Sequence, residues 1–259
     1  MGSAMADSLS TVAAVPALMY HDVVPAGAED TSGFHGLDAA LYKVTTGAFA
    51  EQIAGIAALA DRPTMTFDDG GCSAMEAAEV LERSGLRGHF FITTDYIGSP
   101  GFLTARQLQR LRARGHVLGT HSCSHPLRMA QISWPQLIHE WAVSSAVLSD
   151  VLGCAVAVGS VPGGAFSNAV ADAAAQAGIL HLFTSEPTAE IATIAGISVG
   201  GRFTIRRSTS TTRVLAFARG DRFWCAQQHA AWALKKLTKR LGGSSYLAMR
   251  RALMGGTLK

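Results

Sequence analysis

Cysteine is scarce and scattered: Cys72, Cys123, Cys154 and Cys225 are the only four, and no two stand in a CxxC spacing. That excludes a disulfide framework and a structural zinc ribbon, and it points to a reduced, cytoplasmic chain. There is no run of 18 or more uncharged apolar residues, so no membrane-spanning helix is expected. The opening MGSAM reads as a cloning remnant, and the residues after it lack a basic region and a long apolar core. Residues 1–14 are therefore expected to be a tag remnant and lead, not a secretory signal. No repeat, low-complexity tract or proline-rich linker divides the rest of the chain.

What is present is a core. With 259 residues and 48% hydrophobic side chains, the chain can bury the interior of one large α/β domain. Short β-rich runs (PALMYHDV, PTMTFDD, HFFITTDYI, HVLGTHS, AVAVGSVPG, LHLFTSE and SVGGRFTIRR) alternate with helical stretches. Several of those stretches begin on Ser or Thr and end on Gly, the residues that satisfy the open backbone groups at helix ends. About seven such units make either an open doubly wound sheet or an incomplete barrel. The barrel is preferred, because polar residues gather at the C-terminal ends of the strands, where barrel enzymes place their chemistry. His21 and Asp22 end the first strand, Asp68 and Asp69 the second, His121 the fourth and Glu186 a later one.

Net charge is +3, unevenly spread. Between Arg219 and Lys259 nine basic residues face one acid, a local +8, which leaves −5 on the remainder. The expected organisation is a barrel over 15–218 and a basic helical tail over 219–259. In that tail Trp224, Trp232, Leu234, Leu237 and Leu241 form an apolar stripe. The stripe is either a face packed on the barrel, with Lys235, Lys236, Lys239 and Arg240 solvated, or a peripheral membrane contact. A basic tail without a reading motif beside an acidic body does not suggest a nucleic-acid partner.

Two stretches carry chemistry. TFDDGG, residues 66–71, sets two carboxylates at the mouth of a strand before a glycine turn, and HSCSH, residues 121–125, sets two imidazoles four apart. Two His and one carboxylate suffice to hold a Zn²⁺-like ion with an open position, and the second carboxylate is then free to take a proton from a bound water. An aspartyl phosphatase is a weaker reading, since it leaves HSCSH unexplained.

TFDDG (66–70), HSCSHP (121–126), SVPGG (160–164) and LMYHDV (18–23) together resemble the polysaccharide deacetylases of carbohydrate esterase family 4, the NodB homology domain, over roughly residues 15 to 215. The resemblance implies an incomplete (β/α)7 TIM-like barrel that removes an acyl group from a sugar. It casts Asp68 as catalytic base and Asp69, His121 and His125 as ligands of a divalent metal, Zn²⁺ first with Co²⁺, Ni²⁺ or Mn²⁺ as alternatives. The family's third motif reads Arg-x-Pro-aromatic-Gly; here Ser160 replaces the Arg and Gly163 the aromatic residue. The Gly163 N–H is still expected to face the oxyanion, while the residue that tunes Asp68 must come from elsewhere, with Arg206 or Arg202 as candidates. The late His that serves the family as general acid is also missing, so His21 is the first substitute and Arg206 the second. Asp22, Pro162, Gly164 and Glu186 are the expected substrate contacts. The resulting expectation is a metal-dependent N-deacetylase or deformylase acting on an amino sugar in cell-surface glycan or lipopolysaccharide biosynthesis; a non-catalytic glycan-binding relative is the alternative.

Overall fold

Strands covered on both faces read as unbroken apolar runs. Phe90, Phe91 and Ile92, all buried, show this at the centre of the sheet. The computed structural model describes residues 15–234 and 236. In chain order the strands are β1 (Ala17–Tyr20), β2 (Val23–Val24), β3 (Val44–Thr45), β4 (Thr64–Phe67), β5 (Gly88–Ile92), β6 (Val117–Thr120), β7 (Val158–Ser160), β8 (His181–Phe183), β9 (Ile191–Ile194), β10 (Ile197–Gly200) and β11 (Phe203–Thr204). The helices are α1 (Leu37–Ala40), α2 (Thr46–Ala57), α3 (Ala74–Arg83), α4 (Ala105–Ala113), α5 (Trp134–Leu152), α6 (Asn168–Gln176) and α7 (Thr211–Ala218).

One nine-stranded sheet runs β11-β1-β4-β5-β6-β7-β8-β10-β9, parallel throughout except for the β9–β10 hairpin. It curls into a half-barrel whose edges, β11 and β9, do not pair with each other, which is the incomplete barrel expected. The helices start where the capping residues placed them. Thr104 and Gln107 cap α4 reciprocally, Ser133 and Gln136 do the same for α5, and α5 ends on Gly153 at φ 68°.

Two features differ from the sequence reading. The crossover α2, rich in Ala and Gly, has too weak an apolar stripe to stand out, yet Phe49, Gln52, Ile53 and Ile56 are buried on it. SVGGRFTIRR is not one strand but two: β10 lies beside β8, while β11 pairs with β1 at the other end of the sheet. The residues between them, Gly201 and Arg202, therefore cross the gap of the half-barrel, and Arg202 is fully buried there.

Residues 222–234 continue as a helix. Gln228 Nε2 donates to the Thr204 carbonyl at 2.8 Å, and Arg213 lies 4.5 Å over the Trp224 ring, so this part of the tail packs on the barrel. Phe223 and Leu234 face outward. Lys235, Leu237, Lys239, Arg240 and Leu241 lie outside the described residues, as does the opening MGSAM. Among the described residues, no helix is long and apolar enough to cross a membrane.

At the opposite end of the sheet from the motifs, Glu82 receives hydrogen bonds from Arg114 at 2.7 and 2.9 Å and lies 2.8 Å from His116 Nε2. His116 Nδ1 accepts from the Gly88 N–H, so its proton is on Nε2 and points at Glu82. Hydrogen bonds from Arg114, reinforced by His116, hold the Glu82 carboxyl at about 2. A depressed carboxyl contributes stability that is complete above the unfolded-state value near 4.5 and is lost as pH falls toward 2. Because the pair is partly solvated, Glu82→Gln should destabilise the protein by about 1 to 2 kcal/mol at pH 7 and by almost nothing at pH 2. Denaturant titrations at both pH values test this, and a pH-independent difference would refute it.

Candidate metal centre

Asp69 follows β4, and His121 and His125 bracket the loop after β6, two strands away in the sheet. The fold brings them together: one ligand atom from each lies within 4.8 Å of the others. Asp69 Oδ1 stands 3.4 Å from His121 Nε2 and 3.3 Å from His125 Nε2, yet it is buried and has no hydrogen-bond partner. A buried carboxylate oxygen left without a donor is costly in protein alone and is what a cation would satisfy. One oxygen and two imidazole nitrogens suit a borderline-soft divalent ion, so the residues present fit the metal the motifs imply.

The backbone around these ligands is strained. Asp69 (φ 75°), Ser122 (φ 65°) and His125 (φ 60°) all occupy the left-handed region without being glycine. Each costs on the order of 1 to 3 kcal/mol, and such strain persists where surrounding contacts over-determine it. The turn that sequence reading assigned to Gly70 and Gly71 thus begins a residue earlier, on the carboxylate itself.

Supporting contacts fix the imidazoles. His121 Nδ1 donates to the Ser160 carbonyl at 2.9 Å, which puts the free lone pair on Nε2, facing Asp69. The His125 ring packs 5.0 Å from Phe34 and 5.0 Å from His121. Burial raises the Asp69 carboxyl, but the facing His121 and His125 imidazoles outweigh it, and Asp69 lies well below the usual carboxylate range. Burial disfavours protonated His125, yet the adjacent Asp69 carboxylate prevails and pushes it up.

Asp68, the second acid, is 4% exposed and held separately. Arg202 grips it with a two-pronged contact, Nη1 to Oδ1 at 2.7 Å and Nη2 to Oδ2 at 2.8 Å. Ser160 Oγ accepts from Arg202 Nη2 at 2.7 Å and donates to Asp68 Oδ2 at 3.3 Å. The guanidinium also donates to Thr66 Oγ1 and the Thr184 carbonyl and lies against the rings of Phe91 and Phe183, 5.5 and 5.8 Å from their centroids. Burial would raise the Asp68 carboxyl, but Arg202 foremost, then His121, overcome it and keep Asp68 ionised below its ordinary value. Where the motif lacks its Arg, a guanidinium from the β10–β11 crossing fills the space, and the small Ser160 leaves room for it.

A model of the polysaccharide deacetylase family matches residues 60–181, a span that contains both acids, both histidines and the Ser160–Gly164 turn. Over that span the chain is similar to the polysaccharide deacetylase family. Proteins of that family are carbohydrate deacetylases, hydrolases of carbon–nitrogen bonds. Among solved structures the chain is similar to the Streptococcus pyogenes deacetylase PplD in complex with acetate, at 20% identity over 79% of this chain and 97% of that one, with a TM-score of 0.66. It is also similar to IcaB from Ammonifex degensii (19% identity, 79% and 96% covered, TM-score 0.63) and to a polysaccharide deacetylase from Bacillus cereus (17%, 78% and 68%, 0.65). At such identities what is shared is the fold. No curated protein matches the sequence.

The remaining expected residues fall unevenly around the centre. His21 packs on Tyr42, its ring centroid 4.8 Å away, and its Nδ1 is buried without a partner. Its charge bears on both acids, a minor influence after burial, Arg202 and the metal-site histidines. Gly163 sits at φ 63°, and a Cβ there would lie 2.4 Å from the Leu127 carbonyl oxygen, so the missing aromatic side chain has no room. Gly164 (φ 69°) is equally crowded, by Ser185, and Pro162 is buried beneath the turn.

Two expectations need correction. Arg206 is exposed and lies 5.6 Å over the Tyr42 ring, so it does not tune Asp68; its polypeptide has already crossed to the outer strand. Asp22 is not available to substrate: it is 2% exposed, and its Oδ1 accepts from Ser32 Oγ at 2.6 Å and Ser73 Oγ at 2.8 Å. It anchors the 29–36 loop together with Lys43, whose Nζ donates to the carbonyls of Glu29, Ser32 and Phe34. Glu186 is half-exposed, with Oε1 3.8 Å from His229 Nε2. Cys123 points away from the ligands, toward the His139 and Glu140 carbonyls, and burial pushes its thiol up to about 11.

Proposed function

We propose that this chain is a metal-dependent deacylase that removes an acetyl or formyl group from the nitrogen of an amino sugar, within cell-surface glycan or lipopolysaccharide biosynthesis. The observation that carries the reading is the unsatisfied Asp69 Oδ1 between two imidazole nitrogens, with a second, ionised carboxylate one residue away. Asp69, His121 and His125 would hold the ion, with Zn²⁺ the leading candidate. When bound, a divalent cation supplies Lewis acidity to the acyl carbonyl and lowers the pKa of a water.

The chain's own groups do the rest. Asp68, ionised and fixed by Arg202, accepts the proton of the attacking water. The Gly163 N–H donates to the carbonyl oxygen as charge builds on it, a contribution of roughly 3 kcal/mol for one well-placed donor. His21, with a free ring nitrogen, delivers a proton to the departing nitrogen, and the products are a carboxylate and a free amine. Acetate, the ligand in the PplD structure, is the product this reaction would leave from an acetylated sugar. Four unpaired cysteines support a cytoplasmic site of action, and outward-facing Phe223 and Leu234 on the tail helix support a peripheral membrane contact.

Protein purified without chelator should carry about one divalent ion per chain and release carboxylate from N-acetyl or N-formyl sugars. His121→Ala should lose both the ion and the activity. Elemental analysis alongside a product assay tests this; an ion-free wild type that still turns over would end the metal reading.

A further inference from the structure

Resting on that metal reading, we propose that Glu140 is the positioning residue of the metal centre, holding the 122–125 loop in the strained shape that aims His125 at Asp69. Glu140 reaches the loop from the middle of α5 and is 8% exposed. Its Oε2 accepts from the Cys123 N–H at 2.9 Å and the Ser124 N–H at 3.0 Å, and its Oε1 accepts from Ser124 Oγ at 2.6 Å. From the other side the Thr94 and Asp95 N–H groups donate to the carbonyls of Ser122 and Cys123 at 3.1 Å each. The segment is thus clamped across both edges of its peptide groups.

The clamp sits where strain is stored. Residues on either side of the two amides it binds, Ser122 and His125, are the left-handed ones, and two adjacent N–H groups converging on one carboxylate is an arrangement that such a backbone offers and an extended one does not. Ser122 Oγ accepts from the His125 N–H at 3.2 Å and completes the turn. Released from Glu140, the loop can relax toward ordinary dihedral angles, which carries the His125 imidazole away from Asp69. His121, fixed independently through the Ser160 carbonyl, stays.

The test is metal affinity on the full chain, measured by competition with a chromophoric chelator using Co²⁺ and Zn²⁺, together with the visible spectrum of the Co²⁺ form. Glu140→Ala should weaken binding about 10- to 100-fold, the range for losing a group that orients a ligand, and should shift the Co²⁺ spectrum as one imidazole departs. Glu140→Gln, which keeps an acceptor for both amides, should restore affinity to within several-fold and restore the spectrum. Ser124→Ala, which removes one contact and leaves the helix untouched, should give a small weakening, and it keeps the test open should Glu140→Ala fail to fold. Wild-type affinity and spectrum in Glu140→Ala, or in Ser124→Ala if the former is unfolded, would overturn the proposal. If instead His121→Ala binds ions as the wild type does, the metal reading itself fails.

Discussion

Replacing Arg202 with leucine is expected to destabilise the protein by about 3 to 5 kcal/mol, because Asp68 is then a buried charge with no counter-charge. Turnover at neutral pH should fall about a hundredfold as the base loses its ionised form. The direction with pH depends on what holds Asp68. In the wild type burial is outweighed by Arg202, so the carboxyl lies below its ordinary value. Its contribution to stability is then present above the unfolded-state carboxyl value and disappears as pH falls through the folded one. Without the guanidinium, burial dominates and the folded carboxyl rises above the unfolded one. The sign reverses, and the variant should gain stability, relative to wild type, as pH falls. The acid limb of kcat/KM should move to higher pH by the same cause. Arg202→Lys should lie between, since an ammonium restores charge but not the two-pronged fit. An acid limb unmoved in Arg202→Leu would show that another group sets Asp68.

Asp68→Asn is expected to retain stoichiometric metal and lose about 10²- to 10⁴-fold in kcat, the span attributable to general base catalysis. The three metal ligands are untouched by the change, and the amide keeps the shape of the side chain. It also leaves Arg202 without its carboxylate. That cost should be moderated because Ser160 Oγ, Thr66 Oγ1, the Thr184 carbonyl and the faces of Phe91 and Phe183 remain around the guanidinium. Metal content by atomic spectroscopy, with single-turnover rates on an N-acetyl sugar, checks both halves. A variant that hydrolyses at the wild-type rate would remove Asp68 from the role of base.

The acids and imidazoles were legible because motif spacing is local: TFDDG and HSCSH each carry their chemistry within a few residues. The buried carboxylate that clamps the second motif was not. Glu140 is one of two acids on the nineteen-residue α5, and only its place on the face that packs beneath the loop separates it from an ordinary solvated charge. Asp22 misled for the reverse reason, standing at a strand end like the others but turned inward to serine hydroxyls and a buried lysine. Arg202 was the second of two candidates in GGRFTIRR, behind its rival Arg206 four residues on.

By itself the sequence determined the alternation of strands and capped helices, the barrel class, and the two motifs that supply the candidate metal site and the acid beside it, since each depends on side-chain type and short spacing. Tertiary structure alone decided which arginine stands in for the missing one. The choice depends on where the backbone crosses from β10 to β11 over the open gap of the sheet, and that crossing is set by strand order, a long-range property that no local pattern records.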